Sequence, residues 1–203
     1  MADFRIEKRF LRQGRRVIAG VDEVGRGSLF GPVIAAAVVF SPDFLSGRPP
    51  LWARRINDSK LLTPAVRLGL VRAIAAEADA VGLGSASSEE IDRDNIFRAS
   101  QAAMVRALHG LGRAPDLVLV DGFPLKGVEY EQLGLSQGDR KSVSVAAASI
   151  VAKVFRDGLM LAFDAVYEGY GLARNKGYGT EEHYRRLRER GPTGLHRLTF
   201  KIG

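Results

Sequence analysis

The chain has 203 residues, 46% of them hydrophobic, which is enough for one good-sized α/β domain with a real core. Basic side chains outnumber acidic ones 30 to 23, giving a formal charge of +7 and favouring a polyanionic partner. The absence of cysteine excludes disulfides and thiolate metal sites, and the longest apolar run, Val33 to Phe40, is too short to cross a bilayer. No apolar h-region is visible over 1–16, so the expectation is a soluble, cytoplasmic protein, monomeric by default. Taken in chain order, residues 1–16 read as a basic lead-in, helical or irregular. Residues 17–24 form a first strand and, after a turn, 32–40 a second, rich in β-branched residues. Pro42, Gly47, Pro49 and Pro50 punctuate a loop, and Thr63-Pro64 then opens a helix as N-cap and N1, running to about residue 78.

A third strand is read over 80–86. Ser87 or Ser88 caps one helix that reaches about residue 108 and is closed by Gly110. Residues 116–120 form a short strand ending in Asp121-Gly122, and 123–138 a loop with a short strand near 133–135. Ser142 leads into a long helix, in which Val143, Ala147, Ile150, Val151, Val154 and Phe163 recur at helical spacing. A loop rich in glycine and aromatics spans 169–179, and Thr180 caps a charged helix ending near Arg190. The pattern predicts an α/β fold, one mixed central sheet flanked by helices, with a single domain over 1–203 and a C-terminal helix and tail over 180–203.

The stretch over 18–31, IAGVDEVGRGSLFG, organises the chain. An apolar strand delivers Asp22 and Glu23 to its end. Successive side chains of a strand point to opposite faces, so both acids serve one site only at the rim of a sheet. Gly25 and Gly27 let the main chain bend and come close to a ligand, and Arg26 between them carries a planar fork suited to phosphate. Asp121 ends the strand LVLVD as Asp22 ends VIAGVD, so on neighbouring strands the two converge. Asp139, where a helix starts, and Asp157, within that helix, compete for a fourth place, and residue chemistry alone does not separate them. Clustered carboxylates repel, and a divalent cation resolves the repulsion. Donors that are all hard oxygens favour Mg²⁺ or Mn²⁺ over Zn²⁺. Two such ions can generate a hydroxide nucleophile and stabilise the leaving oxygen of a phosphodiester.

The ordered motifs VDEVGRG (21–27), NDSK (57–60), EEIDRDNI (89–96), VDG (120–122), GDRKS (138–142), AAASIVAKVFRD (146–157) and NKGYGTEEH (175–183), followed by LHRLTF, together resemble ribonuclease HII, the type 2 ribonuclease H of bacteria. The resemblance runs over 17–200 and implies a ribonuclease H-like fold. It implies hydrolysis of the RNA strand of RNA/DNA hybrids and incision 5′ of single ribonucleotides embedded in duplex DNA. The ends left are 3′-hydroxyl and 5′-phosphate, and the role is ribonucleotide removal from DNA. By the same resemblance Asp22, Glu23, Asp121 and Asp139 match the acids that bind two divalent ions, Mn²⁺ or Mg²⁺, which decides Asp139 over Asp157. Gly25, Arg26 and Gly27 match a Gly-Arg-Gly that contacts the ribonucleotide's 2′-hydroxyl, and Tyr178 matches a tyrosine stacked on the next sugar. Lys60 is assigned to phosphate binding. A junction resolvase on the same fold and a non-catalytic basic nucleic-acid-binding protein are the competing readings.

Overall fold

The computed structural model describes residues 2–56 and 63–201. Five strands, β1 (Ile18–Val24), β2 (Val33–Phe40), β3 (Ala78–Ala86), β4 (Leu117–Asp121) and β5 (Gln132–Leu135), form one sheet in the order β3-β2-β1-β4-β5. β1 pairs antiparallel with β2 and parallel with β4, so the strand carrying Asp22 and Glu23 is the central one of a mixed sheet. Every residue of β2 is buried, because helices cover both faces. Ile34, Ala36, Val38 and Phe40 pack with α7 (Val143–Val166) and α4 (Pro64–Glu77). Val33, Ala35, Ala37 and Val39 pack with α6 (Ile96–His109) on the other face. The two-residue alternation of a strand thus sorts one apolar run into two cores.

β1 is sorted the same way. Ala19 and Val21 join the α6 side, whereas Gly20 lies against the start of α7. That approach is backbone to backbone: a Cβ on Gly20 would stand 2.2 Å from the Ser144 carbonyl carbon. At the same helix end, the first helix, α1 (Arg5–Arg12), buries Glu7, whose Oε1 accepts from the Ser142 hydroxyl (2.6 Å) and the Ser144 amide (3.0 Å). A carboxylate at a helix N-terminus satisfies amides that have no intrahelical partner. The basic lead-in therefore contributes an acid to the interior.

Three expectations change. The single helix over 88–108 is two, α5 (Ser88–Asp94) and α6, because Asn95 takes φ 70° and its side chain accepts from the Phe97 and Arg98 amides as a new cap. The loop after β2 contains two short helices, α2 (Pro42–Ser46), capped by Ser41, and α3 (Leu51–Arg55). The loop over 169–179 contains α8 (Leu172–Asn175), after which α9 (Glu181–Arg190) is capped by Thr180 as expected. No helix among the described residues is long and apolar enough to cross a membrane.

Candidate active site

The parallel pairing of β1 and β4 sets Val21 opposite Val120, so Asp22 and Asp121 leave the sheet side by side at the same end. They line a cleft of about 440 Å³ together with Glu23 and Asp139, so all four predicted acids share one site. Glu23 reaches it from the strand end, as a rim position requires. The Asp121 Oδ1 accepts from the Gly138 amide at 2.6 Å, which ties β4 to the 3₁₀ turn Gly138–Arg140 that carries Asp139. Asp22, only 5% exposed, accepts from the Glu23 amide at 2.7 Å and from the Ser149 hydroxyl of α7. Burial, followed by the charges of Glu23 and Asp121, pushes the Asp22 carboxyl well above the usual carboxylate range. Burial also raises Glu23, against the opposing effect of Arg26, whose Nη1 donates to Oε1 at 3.1 Å. The other oxygen, Glu23 Oε2, is buried without a partner.

These donors suit a divalent cation. They are hard oxygens throughout, Glu23 and Asp121 push the Asp22 carboxyl upward, and one buried oxygen of Glu23 lacks any donor. As they stand, no three His, Cys, Asp or Glu side chains among the described residues close around a single point. Asp22, Glu23 and Asp121 each already accept from a protein donor.

The turn after β1 is shaped by glycine. Gly25 has φ +91°, and a Cβ there would lie 2.2 Å from Arg156 Nε. Any other residue is strained and clashes. At Gly27 a Cβ would meet nothing within 4 Å, so the turn is open on that side. Arg26 keeps its guanidinium on Glu23 and is half exposed. Tyr178, distant in sequence, lines the same cleft because its segment pairs with the turn: Ser28 bridges Tyr178, and the Leu29 amide donates to Gly177 O at 2.8 Å.

Several residues of the site were not found in the sequence. Ser149 and Lys153 line the cleft from α7, and Arg67 lines it from α4. Asp157 does not line the cleft itself; it pairs with two residues that do, Lys153 at 2.7 Å and Arg67 at 3.5 Å. Ser149, Lys153, Arg156 and Asp157 fall at spacings of three and four on a largely apolar helix, a polar stripe that was legible in principle. Behind Tyr178 lies a chain of imidazoles. The Thr193 amide donates to His196 Nδ1 (2.9 Å), so His196 Nε2 carries the proton and donates to His183 Nε2 (3.2 Å), and His183 Nδ1 donates to Tyr178 O (3.0 Å). Lys60 lies outside the described residues.

A family model described as Ribonuclease HII matches residues 19–202. The chain belongs to the ribonuclease HII family. It is 53% identical over 196 residues to the ribonuclease HII of Moorella thermoacetica, covering 96% of this chain and 91% of that one. The crystal structure of ribonuclease H2 from Pyrococcus horikoshii OT3 superposes with a TM-score of 0.75 at 26% identity, over 92% of this chain and 94% of that one. Bst-RNase HIII, solved in complex with Mn²⁺, shares the fold with a TM-score of 0.68 at 21% identity, over 93% of this chain and 68% of its own. The sheet is therefore a ribonuclease H-like fold, and this member of the family is a hydrolase, an endoribonuclease that degrades the RNA of RNA/DNA hybrids.

Proposed function

We propose that the cleft holds two divalent ions, Mg²⁺ or Mn²⁺, and incises duplex DNA on the 5′ side of a single embedded ribonucleotide, as well as cutting the RNA of longer hybrids. The products are 3′-hydroxyl and 5′-phosphate ends, and the role is ribonucleotide removal from DNA by one catalytic domain. The observation that carries this reading is a juxtaposition: two strand-end acids on parallel neighbours face a cleft whose wall includes Tyr178, and the Tyr178 segment is paired to the Gly25–Gly27 turn. Binding of Mn²⁺ by Bst-RNase HIII, a protein of the same fold, supports the choice of cation.

Asp22, Glu23, Asp121 and Asp139 would hold the ions, with Glu23 Oε2 the oxygen most in need of a partner. When bound, such ions supply a nucleophile at neutral pH and stabilise the leaving oxygen. Burial and its acidic neighbours hold the Asp22 carboxyl well above the usual carboxylate range, and a cation held there would favour its ionised form. Gly25, Arg26 and Gly27 read the 2′-hydroxyl, the one group that distinguishes RNA from DNA locally. Glycine permits that approach, since the Gly27 side of the turn is open. The Tyr178 ring stacks on the following sugar, while Lys153 (5.8 Å from the ring centre) and Arg156 (5.5 Å) support it. Lys60 contributes to phosphate binding.

The test is cleavage of two labelled duplexes, one all DNA and one with a single ribonucleotide, in Mg²⁺, Mn²⁺ and chelator, with Asp121→Asn as control. Metal-dependent incision 5′ of the ribonucleotide, absent in the variant, is expected. Equal cutting of both duplexes would indicate a resolvase or general nuclease, and binding without cutting a non-catalytic role.

A further inference from the structure

Two fully buried arginines lie behind the reading turn, and neither forms an ion pair among the described residues. Arg156, on α7, donates from Nη2 to Phe30 O (3.0 Å), from Nε to Pro32 O (3.3 Å) and from Nη1 to Lys176 O (2.8 Å). Arg197 donates from Nε to Gly31 O (2.9 Å) and from Nη1 to Arg26 O (2.9 Å). Burying a guanidinium without a counter-anion is unfavourable. Burial lowers Arg197 to about 9, with Arg156 adding to the fall against Tyr178 and Asp92. The carbonyls that compensate all belong to 26–32 and to Lys176, that is, to the two segments that carry the Gly-Arg-Gly turn and Tyr178.

The direction of those bonds matters. In a trans peptide the C=O and the following N–H point opposite ways, and the chain has no cis bond among the described residues. By holding the Arg26 carbonyl inward, Arg197 therefore turns the Gly27 N–H the opposite way, and a Cβ at Gly27 would meet nothing within 4 Å. No backbone or side-chain acceptor takes that amide among the described residues. Arg156 sets the other half. Its guanidinium occupies the space a Gly25 Cβ would need and sits 5.5 Å from the Tyr178 ring centre, wedged between the two.

We propose that Arg197 and Arg156 are positioning residues for ribose recognition: Arg197 presents the Gly27 amide as a donor to a ribose hydroxyl oxygen, and Arg156 fixes the spacing between that turn and the Tyr178 ring. The inference rests on the reading of the site given above. A carboxylate partner would neutralise these cations equally well but would fix no backbone carbonyl; the fork geometry of guanidinium fixes two or three at once.

Arg197→Lys and Arg156→Lys retain a cation and lose the fork. For each, kcat and Kd are measured on the duplex with one ribonucleotide, the all-DNA duplex serves as the reference, and the Mn²⁺-induced shift in Tm reports the acid cluster. The expected result is a kcat lowered by about 10- to 100-fold, the scale of roughly 1 Å misplacement. Kd should stay within about two-fold, because phosphate contacts dominate affinity, and the Mn²⁺ shift should match wild type. An unchanged kcat in the folded variants, or a loss of kcat accompanied by loss of the Mn²⁺ shift, overturns the proposal. Should the variants not fold, ¹⁵N-arginine NMR of the wild type decides: the Arg156 and Arg197 Nε–H signals move on adding the ribonucleotide duplex in chelator and not on adding the all-DNA duplex, and static signals overturn it. Wild-type enzyme that cuts both duplexes alike refutes the functional reading itself, a different result from wild type that discriminates and variants that match it.

Discussion

Gly20→Ala isolates the fit between the acid-bearing strand and α7. Gly20 has no left-handed φ, so alanine meets no backbone penalty and gains about 0.4–1 kcal/mol from a less flexible unfolded chain. Its methyl would lie 2.2 Å from Ser144 C, 2.3 Å from Val145 N and 2.5 Å from Ser144 O. All three are backbone atoms, and no side chain can rotate away. Ordinary contact starts at 3.4 Å, so β1 and α7 must part by about 1 Å. Overpacking costs about 1–3 kcal/mol and sometimes more. With backbone on both sides we expect a net loss of about 3 kcal/mol, or a Tm lower by roughly 6–12 °C for a chain of this size. Activity should suffer further. Asp22 lies two residues along β1 and Asp139 on the turn just before α7, and misplacing reacting groups by about 1 Å costs on the order of 100-fold. Urea unfolding with a fitted m-value, together with kcat on an RNA/DNA hybrid in Mn²⁺, measures both. Gly69→Ala and Gly158→Ala, helical positions where a Cβ meets nothing within 4 Å, serve as controls and should gain about 0.5–1 kcal/mol. A Gly20→Ala protein within about 1 kcal/mol of wild type and with normal kcat would refute the packing argument.

Asp121→Asn keeps an acceptor for the Gly138 amide while removing a charge that pushes Asp22 and Glu23 upward. It should be at least as stable as wild type without metal, gain less Tm from Mn²⁺ and lose cleavage; equal metal-induced shifts would argue against a shared site. Asp157→Asn should stay within about ten-fold of wild-type kcat and Asp139→Asn should fall by 100-fold or more, and a reversed order on the same hybrid would exchange their roles. Stability should also depend on the imidazole pair. Burial and then His183 lower His196 to about 4, and burial lowers His183. Unfolded imidazole titrates near about 6.5, so between that value and about 4 the unfolded chain binds more protons and stability falls as pH falls, by up to about 3 kcal/mol for His196. Tm measured from about pH 8 to pH 4.5 should show this loss, and an equally steep profile in His196→Gln would rule out His196 as its source.

What the sequence disclosed, and what it hid, follows from the range of the interactions. An apolar run ending in an acid is a local pattern, and two such runs on parallel neighbours suffice to bring Asp22 and Asp121 together. The strands and the long helix were readable because their periods are local. The break at Asn95 was not, since both flanks are helical in composition and only one φ angle separates them. Asp157 illustrates the opposite problem. Inside a helix a surface salt bridge is the default for such an acid, and Asp157 does pair with Lys153 four residues before it, but Arg67 on another helix completes the arrangement at the cleft wall. Glu7 looked like one more charge in a basic lead-in, because its partners are at Ser142 and Ser144. Arg156 and Arg197 were invisible as buried groups for the same reason: backbone carbonyls leave no signature in a sequence.

The distance along the chain between those partners has a consequence for the enzyme's birth. Val17 waits for Asp116, Asp22 for Asp121, Glu7 for Ser142 and the turn at Ser28 for Tyr178. At ribosomal speeds of about 5–20 residues per second, the first acids emerge on the order of 10 s before the last parts of their site exist. An unfinished or prematurely terminated chain thus carries Asp22 and Glu23 without the Asp121, Ser149 and Tyr178 walls of their cleft, and on the proposed reading such a fragment is expected to be inert towards the nucleic acids around it.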